Sequence, residues 1–217
     1  MDYLFPAPPP MAVPILGSEA VFPVRRVFCV GRNYAAHAKE MGVSGREAPF
    51  FFMKPNDALV INGGIVPYPP ATNDLHYETE LVLALNDNKK LFGYAVGLDL
   101  TRRDLQNAAK KQGHPWDMAK GFDYAAPIGT IAPKERVHHI EEAELQLQVN
   151  GVPKQRGKVA DMIWKIDEII IELSKLIEIK AGDLIFTGTP EGVGPIKRGD
   201  RLQASITGLP ELAVEIK

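Results

Sequence analysis

The sequence predicts a mixed, mainly β fold of the α+β class, from three features. Apolar runs of strand length predominate, segments with helical spacing are few, and their order is not a repeated β-α-β. A largely antiparallel arrangement follows, rather than a doubly wound parallel sheet. The 217 residues suit an N-terminal extended arm over residues 1–24 and one domain over residues 25–217.

The arm is rich in proline, including Pro8-Pro9-Pro10, and reads as extended chain rather than a packed element. Regular structure starts with an apolar strand at Arg26–Val30. Gly31-Arg32-Asn33 then turns into a short helix over Tyr34–Met41, stopped by Gly42. Phe50–Met53 and Ala58–Ile61 read as strands separated by the turn Lys54-Pro55-Asn56-Asp57, and Pro67–Pro70 breaks the chain again. In the strand Tyr77–Leu85, Tyr77, Thr79, Leu81, Leu83 and Leu85 alternate against Glu78, Glu80, Val82 and Ala84. Gly93–Leu98 is a buried-type strand that delivers Asp99. Thr101 with Asp104 resembles a capping box opening a helix over Arg102–Lys111. Leu145, Leu147 and Val149 alternate with Glu144, Gln146 and Gln148 ahead of Asn150-Gly151, a hairpin turn signal. The best helix spans Met162–Ile177, with Ile163, Ile166, Ile170, Leu173 and Ile177 on one face. Strands at Asp183–Thr187, Arg201–Ile206 and Ala213–Ile216 close the chain.

Several function classes lose support at this stage. A formal net charge of −2 with no basic block argues against nucleic acid as a partner. No apolar run approaches a membrane span, so no membrane partner is expected. The start Met1-Asp2-Tyr3-Leu4-Phe5-Pro6 lacks the pattern of a signal peptide, and the single Cys29 excludes an intrachain disulfide, so a cytoplasmic location is expected. Cys29 sits in an apolar strand and reads as a buried structural thiol. Gly188–Gly194 follows a strand but lacks the Gly-Lys-Ser/Thr ending of a P-loop; it reads as a rigid loop presenting N–H groups and the Thr189 hydroxyl.

The candidate chemistry lies in three small groups. Glu78 and Glu80 are two apart on a strand and project from one face, where like charges are costly unless a cation neutralises them. With Asp99 at the end of the next strand they make an all-oxygen set suited to Mg²⁺ or Mn²⁺; the plainer reading is a solvated strand face. His37 and Glu40 are three apart on the short helix, as a general base and its orienting carboxylate would be, or as an ordinary surface pair. Arg103 and Gln106 share a helix face, and Arg103 could grip a substrate carboxylate or simply pair with Asp104 or Asp99. Lys120 follows Trp116 and Met118 and is either a substrate contact or a snorkelling surface lysine. His76 reads as a loop histidine, and His138-His139 as surface.

Six blocks in order resemble the fumarylacetoacetate hydrolase superfamily: Val30–His37, Phe52–Pro55, His76–Leu81, Gly97–Asp104, Lys120–Asp123 and Gly182–Pro190. The likeness runs from about Val24 to the C-terminus and is nearest to bacterial fumarylpyruvate and acylpyruvate hydrolases. It implies a β-roll of mixed sheets, usually dimeric, so a homodimer is expected. It implies Glu78, Glu80 and Asp99 as ligands of Mg²⁺ or Mn²⁺, and His37 with Glu40 as a water-activating pair. Lys120, Arg103, Gln106 and Thr189 take the positions around a small-molecule ketoacid substrate. The implied reaction is hydrolysis of a carbon–carbon bond in an acylpyruvate, such as fumarylpyruvate to fumarate and pyruvate. Oxaloacetate decarboxylation and keto–enol isomerisation of a related dicarboxylic acid are the family's alternatives. One departure is the short Asn86–Leu91 connection, where relatives often carry an extra helix.

Overall fold

The structure, a computed structural model, describes residues 4–6, 8–34, 47–87 and 90–217. It opens with β1 (Ala12–Pro14) and β2 (Val21–Pro23), followed by β3 (Arg26–Gly31), β4 (Phe50–Lys54), β5 (Leu59–Ile61) and β6 (Ile65–Val66). Next come β7 (Leu75–Tyr77), β8 (Thr79–Leu85), β9 (Leu91–Leu98) and β10 (Thr101–Arg102). Helix α1 (Arg103–Gln112) and the single turn α2 (Asp117–Lys120) lead to β11 (Ala126–Ile128) and β12 (Ala132–Pro133). The hairpin β13 (Glu144–Val149) and β14 (Val152–Lys158) precedes helix α3 (Ile166–Leu176). Strands β15 (Asp183–Phe186), β16 (Gly194–Ile196), β17 (Arg201–Ile206) and β18 (Leu212–Ile216) complete it.

Two large sheets organise the molecule. One has the order β4-β3-β15-β8-β9-β11-β5, with β12 also paired to β9; the other runs β14-β13-β17-β18-β6. Most pairs are antiparallel, as the sequence predicts, but β15–β3, β11–β5 and β18–β6 are parallel. At the centre of the first sheet every residue of β8 is buried. Leu81, Leu83 and Leu85 enter the main core against Leu145, Leu147, Leu202 and Ile206 of the second sheet. Val82 and Ala84 enter a second core with Cys29, Leu184 and Phe186. Room for this packing comes partly from Gly97, where a Cβ would stand 2.5 Å from both Phe186 and Val82.

Five expectations are corrected. Residues 12–23 are not free arm: β1 and β2 pair as a hairpin that buries Val13 and Phe22 in the second core. Prolines end both strands, a position where their missing N–H does no harm. The long helix begins at Ile166, not Met162, because Asn33 captures the intervening backbone. Asn33 Oδ1 accepts from Trp164 N–H at 2.8 Å, and Asn33 O from Ile163 N–H at 2.7 Å. No capping box opens α1, since the Thr101 hydroxyl donates to Asp99 O and Asp104 instead accepts from Thr72. The strand expected over Tyr77–Leu85 breaks at Glu78, and His76 lies in β7, paired with Asp74. Elsewhere local signals hold: Asn150 and Gly151 have φ of 53° and 76°, as a tight hairpin turn requires. The residues of the expected short helix beyond Tyr34, with His37 and Glu40, lie outside the described residues; Tyr34 itself bridges Met162.

Candidate metal centre

The strand break at Glu78 builds the site. Asp99, just past β9, donates its N–H to Glu78 O at 2.8 Å, so the two acidic residues face each other across the end of the β8–β9 pair. Glu80 lies one register step inside, opposite Gly97. Glu78, Glu80 and Asp99 are 5%, 1% and 1% exposed, which excludes the solvated-face reading of the sequence. Each offers a carboxylate oxygen within 4.8 Å of the others.

Three cations surround these acids. Lys120 Nζ donates to Glu78 Oε2 at 2.8 Å and to Asp99 Oδ2 at 2.6 Å. Arg103 donates to Glu78 Oε1 at 2.5 Å and to Gln106 Oε1 at 2.6 Å. Arg103 thus pairs with neither Asp104 nor Asp99, and Lys120, 2% exposed with its ammonium 5.1 Å from the Phe52 ring, is no surface lysine. The third cation is Lys54, 2.8 Å from Asp99 Oδ1 and bonded to the carbonyls of Leu100 and Lys120. Burial works to lower the Lys120 ammonium, but Asp99 and Glu78 outweigh it and hold the lysine above its usual range. Glu80 is pushed well up, by burial first and then by Asp99 and Glu78; Lys120 and the Gly188 N–H, 2.8 Å from Oε2, oppose the rise. Only glycine fits at Gly188, whose φ is 95° and whose Cβ would lie 2.7 Å from Asn33 Cβ.

The donor set fits a hard divalent cation. All three groups are carboxylates, hard oxygen donors, and their mutual repulsion, felt in the raised Glu80, favours a dication among them. The cavity among these groups has a volume of about 20 Å³, on the scale of one ion or water. Arg32, Phe52, Gln106, Trp116 and Thr189 complete its lining with the residues already named. The triad is therefore a site for a divalent cation such as Mg²⁺ or Mn²⁺.

The structure brings together every expected site residue it describes: Glu78, Glu80, Asp99, Arg103, Gln106, Lys120 and Thr189. Two supporting residues carry no role in the sequence reading. Lys54 reads as a turn residue, although a lysine ending an apolar strand before a proline is a usable signal. Gln155 gives none, because β14 looks like a polar hairpin arm. Yet its Oε1 accepts from Thr79 N–H at 3.0 Å, and its Nε2 donates to Thr189 Oγ1 at 2.8 Å and to Pro190 O. The Thr189 hydroxyl in turn donates to Thr79 O, so its proton is committed to the scaffold.

Comparison with known proteins supplies the family. The model for the fumarylacetoacetate (FAA) hydrolase C-terminal region matches residues 26–217. The chain is 42% identical to a mitochondrial oxaloacetate tautomerase of Arabidopsis thaliana, covering 88% of this chain and 91% of that protein. It is 41% identical to the oxaloacetate tautomerase of Escherichia coli K12, covering 88% and 93%. The crystal structure of fumarylpyruvate hydrolase from Pseudomonas aeruginosa, in complex with Mn²⁺ and pyruvate, superposes with a TM-score of 0.95. It is 46% identical, over 99% of each chain. The chain belongs to the fumarylacetoacetate hydrolase family of enzymes.

Proposed function

We propose that the protein is a metal-dependent enzyme acting on a 2-oxoacid of the oxaloacetate type, with keto–enol tautomerisation as its main reaction. The observation that supports this most is the pairing of the acidic triad with Lys120, Arg103 and Gln106 in one buried pocket. Two oxaloacetate tautomerases at 41–42% identity support the same reading.

The triad would hold the cation, which when bound supplies Lewis-acid polarisation of the 2-oxo group. The chain's own residues do the rest. Arg103 presents its planar fork to the oxoacid carboxylate, kept in plane by Gln106. Lys120 donates to negative charge developing on the 2-oxo oxygen, and Lys54 holds its carbonyl so that the ammonium stays in place. His37 and Glu40 serve as base and orienting acid, carrying the proton between C3 and the 2-oxo oxygen: C3–H is lost as the enol O–H forms, and the reverse. Phe52 and Trp116 help exclude water from that exchange. Among the described residues, Lys54, Arg103 and Lys120 offset the charge of the triad carboxylates they pair with, so a dication would be balanced by a dianionic substrate.

A second reading, acylpyruvate hydrolysis, is favoured by the likeness to the fumarylpyruvate hydrolase. It shares the oxoacid grip and would use His37 and Glu40 to activate water. Homodimer formation, which the resemblance implies, and a cytoplasmic location, which the single Cys29 suits, belong to this proposal as well. The test is to give the Mg²⁺-loaded enzyme enol-oxaloacetate and fumarylpyruvate separately, following enol absorbance, CO₂ and pyruvate. Accelerated loss of enol without CO₂ supports tautomerisation. Release of CO₂ from oxaloacetate would make decarboxylation the function, and a higher kcat/KM for pyruvate release from fumarylpyruvate would make it hydrolysis.

A further inference from the structure

A second cleft, of about 540 Å³, opens beside the metal centre. Arg32 and Trp116 line both spaces and so form the passage between them. Phe50 and Lys110 line the outer cleft, and Phe50 meets Trp116 edge-on at 5.0 Å. The resulting wall of Phe50, Phe52 and Trp116 is continuous from the cleft to the Lys120 ammonium.

The cations along this wall are ordered. Arg103, Gln106 and Lys110 fall on one face of α1, and Lys110 lies roughly 10 Å further along the axis than Arg103 at ~1.5 Å per residue. Arg32 faces the same passage from the loop after β3. Its φ of 65° is unusual for a residue with a side chain. Asn33 holds that backbone: its Nδ2 donates to Thr187 O at 2.8 Å and Trp164 O at 3.0 Å, besides the two bonds it accepts. The Arg32 Nε is buried and finds no hydrogen-bond partner among the described residues. Partial burial, Arg103 and Arg32 together lower the Lys110 ammonium to about 8, so the concentration of positive charge is felt there.

We propose that Arg32, supported by Lys110, receives the far carboxylate of a dicarboxylic 2-oxoacid whose oxoacid end lies at the triad. This rests on the oxoacid reading above and adds the part of the substrate that the triad, Arg103 and Lys120 leave unassigned. An arginine fork with an unsatisfied buried donor suits a carboxylate, and the aromatic wall suits the short carbon chain between the two ends. Arg32 thereby selects dicarboxylic over monocarboxylic 2-oxoacids.

The test is calorimetric binding to the Mn²⁺-loaded protein. The ligands are 3,3-difluorooxaloacetate, which has no C3 proton to lose, monocarboxylic 2-oxobutanoate, and oxalate, which offers only the chelating end. Arg32→Gln is expected to weaken difluorooxaloacetate by roughly 10- to 100-fold while leaving oxalate within about twofold. Arg32→Lys should fall between, and circular dichroism with melting confirms that both variants fold. Equal weakening of both ligands would place Arg32 at the oxoacid end and overturn the proposal. So would an unchanged difluorooxaloacetate affinity, or a wild type that binds it no better than 2-oxobutanoate. Retention of the binding contrast without any turnover of oxaloacetate would overturn the functional reading alone.

Discussion

The two large sheets use the same period-two alternation to different ends. In the five-stranded sheet, β13 buries Leu145, Leu147 and Val149 and leaves Glu144, Gln146 and Gln148 partly or fully exposed. A polar residue there is what a half-solvated sheet calls for. In the other sheet β8 lies between β15 and β9 with a core on each face, so no position on it is solvated. Glu80, on that strand, is an acid in a place that composition alone would assign to valine. The contrast teaches that a carboxylate on a strand acquires meaning only from what covers the strand's second face.

Removing the acids should separate the sheets most sharply. Glu80→Ala is expected to reduce turnover to background, as exhaustive chelation should in the native enzyme. It should also abolish the rise in melting temperature that Mn²⁺ produces. That rise corresponds to about 2.7 kcal/mol at a hundredfold excess over Kd. Glu144→Ala, which loses an exposed pair with Arg156, should leave both intact. Metal-independent activity in wild type would end the distinction.

Packing provides the next contrast. Leu83, fully buried in β8, should cost about 2–5 kcal/mol on truncation to Ala by chemical denaturation. Exposed Gln146→Ala should stay within about 0.5 kcal/mol. A comparable loss at both would show that the outer face of the five-stranded sheet is covered in solution, as it would be in a dimer.

Gln155 sharpens the comparison, because it is a polar residue of the outer sheet that behaves like one of the inner sheet. Gln155→Ala leaves Thr79 N–H unpaired and releases the Thr189–Pro190 loop, at a cost of about 1–3 kcal/mol and a fall in kcat. Gln203→Ala, exposed on β17, is the control and should be silent in both assays.

The smallest effect concerns Cys29 on β3. Burial, and then Asp99, push its thiol well above the ordinary range, so native protein should resist alkylation until it unfolds. Above the usual thiol pKa the unfolded chain releases a proton that the folded chain retains. Stability should therefore fall with rising pH in wild type relative to Cys29→Ala, measured by paired melts. Rapid native alkylation would mean that the second core is open.

The sequence by itself determined what local physics controls. The strands with clean alternation, the Asn150-Gly151 turn, the helix after Thr101 and the two-residue spacing of Glu78 and Glu80 were all legible within a few residues. Six of the seven described site residues lie in the motif blocks, with Gln106 just beyond one of them, and all seven line one cavity. What only the tertiary structure decided was burial and convergence. Asn33 shortened the long helix from across the chain, the proline-rich start folded back as a hairpin, and Glu78 met Asp99 through a backbone bond between strand ends. Lys54 and Gln155 reach the site from elements whose sequences look like a turn and a solvated arm. The reason is that side-chain periodicity is written within each strand. Which strands lie beside it, and what desolvates its two faces, is settled by contacts between residues far apart in the chain.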